Sequence, residues 1–281
     1  MIKVLHPGFY TTIQDLGRKD YQHLGVSVSG SMDLEASRIA NAILGNDEKC
    51  AALEITMVGP KLEFTCDTAI SITGANLSPN LNGIKINNYI AINVKKGDIL
   101  SFDRLNMGFR SYLAISGGFQ TEFVLNSRSM YKGLTSTFKL QKDDILKIEN
   151  QTSSSNKYAS IKANISYLDN HIIEVFKGPE FENLNAIQIA TLFNKEFTIS
   201  KENNRMAYQL NELVVNNFED IITSLVLPGT VQLTPSGKLI ILMRDCQTTG
   251  GYPRVLQLSE ASINVLAQKF TGNSIVFDLK D

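Results

Sequence analysis

Ala69-Ile70-Ser71-Ile72-Thr73, Tyr89-Ile90-Ala91-Ile92-Asn93-Val94 and Asp98-Ile99-Leu100-Ser101-Phe102 each place an apolar residue at every second position, and the gaps between them hold the turn signals Asn82-Gly83 and Lys96-Gly97-Asp98. A period of two is strand geometry, and short strands joined by tight turns pair antiparallel. The pattern returns at residues 111–115 and 145–148, while residues 1–7 read as a first strand stopped by Pro7. Strands that bury one face must remove their hydrogen-bonding edges by closing into a barrel or by packing face to face.

Helices are few. One is expected to begin near Ser31 to Asp33, to bury Ala36, Ile39, Ala40 and Ile43, and to stop at Gly45. A second spans about residues 183–193 with Leu184, Ile187 and Thr191 along one stripe; a third opens at Ser259, turns Ile263, Leu266, Ala267 and Phe270 inward, and ends at Gly272. The polar run Gln151-Thr-Ser-Ser-Ser-Asn156 reads as a connector, giving a domain at 1–150 and another at 157–281. Leu53 to Pro60 and Ile173 to Pro179 share a loose pattern that either a duplicated barrel or chance would leave. The expected architecture is mainly β, two barrel-like domains with peripheral helices.

The chain has 281 residues, 43% hydrophobic and 20% charged, with a net charge of -1 and no Trp. That is globular composition, and without a basic footprint it gives nucleic acid no grip. No apolar run nears the roughly 20 residues that cross a bilayer. With no signal-like N-terminus and three unpaired-looking cysteines, Cys50, Cys66 and Cys246, the expected location is cytoplasmic. No metal is expected, since His6, His23 and His171 lie far apart, and neither a P-loop nor a complete Gly-x-Ser-x-Gly elbow is present.

Two segments concentrate polar chemistry beside glycines. The first is Thr11-Thr-Ile-Gln-Asp-Leu-Gly-Arg18, continuing through Tyr21-Gln-His-Leu-Gly25 to Ser29-Gly-Ser-Met-Asp33; the second is Asp245-Cys-Gln-Thr-Thr-Gly-Gly-Tyr-Pro-Arg254. Such mixtures grip small molecules rich in carbonyl and carboxylate groups, and Arg18 or Arg254 could clamp an anion in bidentate fashion. Alternatively, their Asp, Thr and Gln satisfy the backbone of tight turns. His23, Ser29, Arg128 and Arg205 are secondary candidates.

The motifs Thr11-Thr-x-Gln-Asp-Leu-Gly-Arg18, Ser29-Gly-x-Met-Asp33, Ala40-Asn-x-x-Leu-Gly-Asn46, Ala52-Leu-Glu-Ile55 and Gln247-Thr-Thr-Gly-Gly-Tyr-Pro-Arg254 resemble, nearly end to end, the allophanate-hydrolase-subunit-2 family. This family, also called biotin-dependent carboxyltransferase, includes the C subunit of 5-oxoprolinase and a Kip-type antagonist of a histidine-kinase inhibitor. The resemblance implies two cyclophilin-like β-barrel regions. It also implies the role of a 5-oxoprolinase C subunit in ATP-dependent opening of 5-oxoproline to L-glutamate, by a hydrolase active only with its partners, the B subunit (a Kip-type inhibitor homologue) and the A subunit. ATP with Mg would serve the assembled complex, and no biotin is expected on this chain. In that role Arg18 and Arg254 would hold a carboxylate or phosphate, Gln14, Gln247, Thr248, Thr249 and Tyr252 would bind the ring, and Asp15 or Asp33 would position a water or a metal-bound phosphate. The two polar segments would then wall a single pocket. The alternatives are biotin-dependent carboxyl transfer to urea or a related amide, and a non-catalytic regulator. The family commonly has Pro-Gly where Lys19-Asp20 stands, proline near Ser27, Gly at Asn126 and Asp at Asn204.

Overall fold

In strand Thr68–Asn76 the alternation separates large side chains from small ones, not buried from exposed. Ile70 and Ile72 enter the main core, while Ser71 and Thr73 lie equally buried on the other face. There they donate to the carbonyls of Ala40 at 2.5 Å and Ala36 at 2.7 Å. Both carbonyls belong to helix α1 (Leu34–Ile43), whose Ala36 and Ala40 pack with the following Leu44 on Ala52, Ala69, Tyr112 and Ala114 of the sheet. Small residues on both surfaces let helix and sheet approach closely, and these two hydroxyls both find acceptors.

The structure, a computed structural model, describes residues 1–149 and 163–280, so the expected connector at 151–156 lies outside the described residues. The chain divides into two compact units: Met1–Arg18 with Ser29–Asp169, and Lys19–Val28 with Asn170–Asp281. The division thus falls at Asp169, and ten residues near the N-terminus join the second unit.

The first unit holds two antiparallel sheets. One orders Ile145–Leu146, Ile2–His6, Lys61–Phe64, Ile99–Phe102, Pro79–Leu81 and Ile84–Lys85; the other orders Tyr10–Gln14, Ala52–Thr56, Met107–Ile115, Thr68–Asn76 and Ala91–Val94. Their inner faces share one core, in which Ile2, Val4, Leu62, Phe64 and Leu100 meet Leu53, Ile55, Ile72, Leu113 and Ile115. At Asn82-Gly83 both residues have positive φ, 52° and 82°, as the expected hairpin turn demands.

The second unit closes completely. Its barrel runs Ile172–Lys177, Arg254–Leu258, Thr230–Leu233, Lys238–Leu242, Ala207–Leu213, Phe197–Asn203 and Ser274–Leu279, and returns to the first strand. A ring of seven strands cannot alternate direction throughout, so one neighbouring pair must be parallel. That pair is Ile172–Lys177 with Ser274–Leu279; the other six are antiparallel. Phe197 and Phe277 pack inside at 5.4 Å between ring centroids. Helix α3 (Glu260–Ala267) begins at the expected Ser259 cap and buries Ile263, Leu266 and Ala267, although Phe270 lies beyond its end and is 38% exposed.

Helix α2 (Ala186–Asn194) departs from expectation in phase. Asn185 and Gln188 form a reciprocal capping box, so Leu184 precedes the helix and the face turned inward carries Gln188 and Leu192. Ile187, assigned to the buried stripe from spacing, is 79% exposed. Leu192→Ala is therefore expected to cost about 2–5 kcal/mol and Ile187→Ala less than about 0.5 kcal/mol, as measured by urea unfolding.

Candidate functional site

Asp15 follows directly on strand Tyr10–Gln14, and its carboxylate gathers donors from far along the chain. Oδ1 accepts from Ser127 Oγ at 2.6 Å, Ser129 Oγ at 2.7 Å and Gly17 N at 2.8 Å, while Oδ2 accepts from Arg128 N at 2.6 Å. Its own amide donates to Ser129 Oγ at 3.1 Å, and its carbonyl accepts from Ser31 N at 2.9 Å. Four donors occupy the carboxylate. It fastens the strap 127–130 and the Gly17 turn to one strand end, and the Asp15 backbone carbonyl holds the Ser29–Ser31 loop there. Gly30 sits so close that a Cβ there would meet Gly17 N at 2.8 Å.

The strap is shaped by a two-residue turn. Val124 and Ser127 exchange backbone bonds at 2.8 and 3.2 Å around Leu125 and Asn126, both left-handed, with φ of 49° and 59°. Asn126 thus occupies a conformation that suits the glycine common in the resembled family, and Asp20 at φ 73° does the same in place of that family's other glycine. Arg128 donates to Thr121 O and to Gln120 Oε1 and lies over the Phe123 ring at 5.2 Å.

Arg18 is fully buried and donates to the Ser129 carbonyl. Gln14 is buried as well; its Nε2 donates to Thr12 Oγ1 at 3.0 Å and to the Met130 carbonyl at 3.2 Å, while its Oε1 has no partner among the described residues. The hydroxyls of Ser29 and Ser31 are likewise buried without partners. Each such atom costs about 1–3 kcal/mol, which a bound polar molecule would recover.

Asp33 is the N-cap of α1. Its Oδ1 accepts from Ala36 N at 3.0 Å and its Oδ2 from the Tyr167 hydroxyl at 2.7 Å. The Asp33 amide donates at 2.8 Å to Tyr112 Oη, which donates onward at 2.8 Å to Glu54 Oε2. Glu54 Oε2 also accepts from Met32 N at 2.7 Å, and its Oε1 lies 3.8 Å from Arg110 Nε. Burial, then the Glu54 and Asp33 charges, pushes the Tyr112 phenol far up; burial and Asp33 do the same to Tyr167, and burial lifts Tyr89 to about 12. All three phenols therefore stay protonated at physiological pH. Glu54, Tyr112 and Tyr167 clamp residues 31–33 onto the sheet, a role the sequence reading missed; the one available signal was a Glu inside the otherwise apolar strand Ala52–Thr56.

The second polar segment belongs to the other unit. Arg205 binds Asp245 in bidentate fashion at 2.8 and 2.9 Å, and Asn204 caps its own turn by accepting from Met206 N at 2.7 Å. Arg254, expected to clamp a ligand, is bound by Glu180 at 3.0 and 2.7 Å and donates to Leu225 O at 2.8 Å. The Thr248 carbonyl accepts from Val226 N at 3.1 Å, Thr249–Gly250 pairs with Ser224–Leu225, and Tyr252 is 37% exposed. Gln247 Oε1 is a further buried acceptor without a partner among the described residues. Ser27, near the family's proline, donates to the Cys246 carbonyl at 2.7 Å, and His23 is exposed in the short turn Gln22–Leu24. Cys246 is buried, whereas Cys50 and Cys66 are half-buried; all three are free thiols. Among the described residues no cluster of three or more His, Cys, Asp or Glu stands together, and no helix is long and apolar enough to cross a membrane.

Hydrogen bonds from Arg254 hold the Glu180 carboxyl below its ordinary value of 4.5. A depressed carboxyl contributes stability that is full above the unfolded value and is lost as pH falls through the folded one. Unfolding at pH 7 and pH 3 should show Glu180→Gln clearly weaker than the parent at the first and nearly equal to it at the second.

A family description of the carboxyltransferase domain, subdomain A and B, matches residues 24–279. The C subunit of 5-oxoprolinase from Escherichia coli (strain K12) is 34% identical over 284 residues, covering 99% of this chain and 90% of that one. Among solved structures, TTHA0988 superposes with a TM-score of 0.89 at 24% identity, which speaks for the fold alone; 99% of this chain is covered, and it spans 55% of the other's length. The Kluyveromyces lactis urea amidolyase gives a TM-score of 0.86 at 29% identity, over 98% of this chain and 18% of that protein. On the strength of the matched span and the near full-length identity, the chain belongs to the family of the carboxyltransferase domain, subdomain A and B.

Proposed function

We propose that this chain is the C subunit of a 5-oxoprolinase and contributes, with the partner A and B subunits in the cytoplasm, to ATP-dependent opening of 5-oxoproline to L-glutamate. The observation that carries this reading is the 34% identity to a protein of that name across nearly the whole of both chains. A lactam carbonyl is a poor electrophile because nitrogen donates into it, and ATP, as co-substrate, would activate its oxygen by phosphorylation. The two carboxylates assigned to a metal-bound phosphate, Asp15 and Asp33, do not fit that role. Asp15 accepts four bonds from its own loops, and Asp33 is held by Ala36 and Tyr167. The proposal therefore leaves ATP and Mg to a partner.

What this chain offers instead is recognition. Gln14 Oε1 is a buried acceptor suited to the lactam N–H, and the Ser29 and Ser31 hydroxyls are donors suited to a carboxylate. They stand on adjoining backbone, since Ser31 N bonds the carbonyl that follows Gln14. Arg254 drops out of the binding set because Glu180 neutralises it. Biotin-dependent carboxyl transfer is a second reading, favoured by the likeness to the urea amidolyase structure; it would need carboxybiotin delivered by another protein.

The test is glutamate release by the chain mixed with its partner subunits, ATP and 5-oxoproline. Gln14→Leu is expected to lower kcat/KM by about tenfold to a hundredfold, the loss of one buried hydrogen bond. No release by the parent assembly would refute the function, and full activity of both Gln14→Leu and Ser31→Ala would refute the site.

A further inference from the structure

We propose that the first unit contains a second site, a cavity that binds the carboxylate of a compact organic acid beside the strap 127–130. The cavity measures about 450 Å³ and is walled by residues 120–122, the strap and the loop after it, and residues 144–147. That volume lies within the range of small-molecule sites, roughly 300–1,000 Å³.

Its charges are unequally committed. Of the two acids, Glu122 Oε2 accepts from Ser136 N and Oγ at 2.8 and 2.7 Å, and Asp144 Oδ2 accepts from Gln141 N at 2.8 Å. Of the two cations, neither Arg128 nor Lys147 is in an ion pair among the described residues. Arg128 spends two N–H groups, on Thr121 O and Gln120 Oε1, of the five that a guanidinium carries. On the same wall Thr121 Oγ1 is buried without a partner among the described residues. Glu122 and Asp144 keep their negative charges, since their donors are neutral, so the lining is balanced overall; the N–H groups of Arg128 and Lys147 that no carboxylate takes, with the Thr121 hydroxyl, are the donors it offers a carboxylate. Met130, Ile145 and Leu146 complete the lining, and apolar surface suits a carbon skeleton better than an inorganic ion.

The cavity is wired to the 14–18 segment by the strap itself. Arg128 N donates to Asp15, and the Met130 carbonyl accepts from Gln14. A carboxylate that fixes Arg128 fixes the element on which Asp15 and Gln14 rest. The choice of 5-oxoproline and L-glutamate as ligands rests on the proposed function, whereas the carboxylate site rests on the cavity and its donors.

Calorimetric titration of the full chain alone, without ATP or partners, with 5-oxoproline, L-glutamate and inorganic phosphate tests the proposal. Saturable binding of either acid is expected, weakened about tenfold or more in both Lys147→Gln and Arg128→Gln; which acid binds tells an uncharged ring from an amino acid as the source of the carboxylate. Binding of neither acid, binding of phosphate alone, or undiminished binding by Lys147→Gln, an exposed position whose variant keeps its fold, would overturn it. Because glutamate release is absent from this experiment, its failure and the failure of the functional reading remain separate results.

Discussion

A carboxylate that accepts four hydrogen bonds can be deprived of none of them cheaply, and Asp15 stands in that position. Three of its donors come from residues more than a hundred positions away and the fourth from the turn that follows it. The strap 127–130 and the turn at Gly17 are thereby fixed against a strand end, while the Asp15 main-chain carbonyl holds the Gly30 turn through Ser31 N. Each charge-assisted bond contributes roughly 1.5–3 kcal/mol in such surroundings, so the group outweighs any single apolar contact nearby. Buried atoms with capacity to spare, on Gln14, Ser29 and Ser31, occur where this fastening holds the chain.

The two units supply rigidity by different means. In the second, seven strands close a ring, and parity requires the single parallel pair that joins Ile172–Lys177 to Ser274–Leu279. Among the described residues the first closes no ring; its five-stranded sheet is covered on one side by the other sheet and on the opposite side by α1. Covering both faces turns serine, threonine and tyrosine in that sheet into interior groups, and each finds a partner: Ser71 and Thr73 in the helix carbonyls, Tyr112 in Glu54. Tyr112 and Glu54 also accept from Asp33 N and Met32 N, just before the helix begins.

Most of the fold was legible because its signals are local. Alternation placed the strands, Asp33 and Ser259 announced their helices, and Asn82-Gly83 announced its turn. Helix α2 was misphased because Leu184 and Ile187 match a helical spacing even though a cap at Asn185 separates them. The site was legible only as composition. That Arg254 is spent on Glu180, 74 residues away, leaves no local trace, and neither does the spacing from Asp15 to Ser127. Glu54 was visible as a charged residue among apolar ones, yet its partner Tyr112 lies on another strand, so its purpose could not be read from spacing.

Amide hydrogen exchange of Asp15→Asn against the parent chain measures the fastening directly. Faster exchange is expected at residues 127–131 and Gly17, with Ser31, whose amide bonds the Asp15 backbone carbonyl, and the barrel strands from Ile172–Lys177 to Ser274–Leu279 unchanged. Protection of the strap that survives the substitution would mean that something other than the Asp15 carboxylate holds it, and the account would fail at its base.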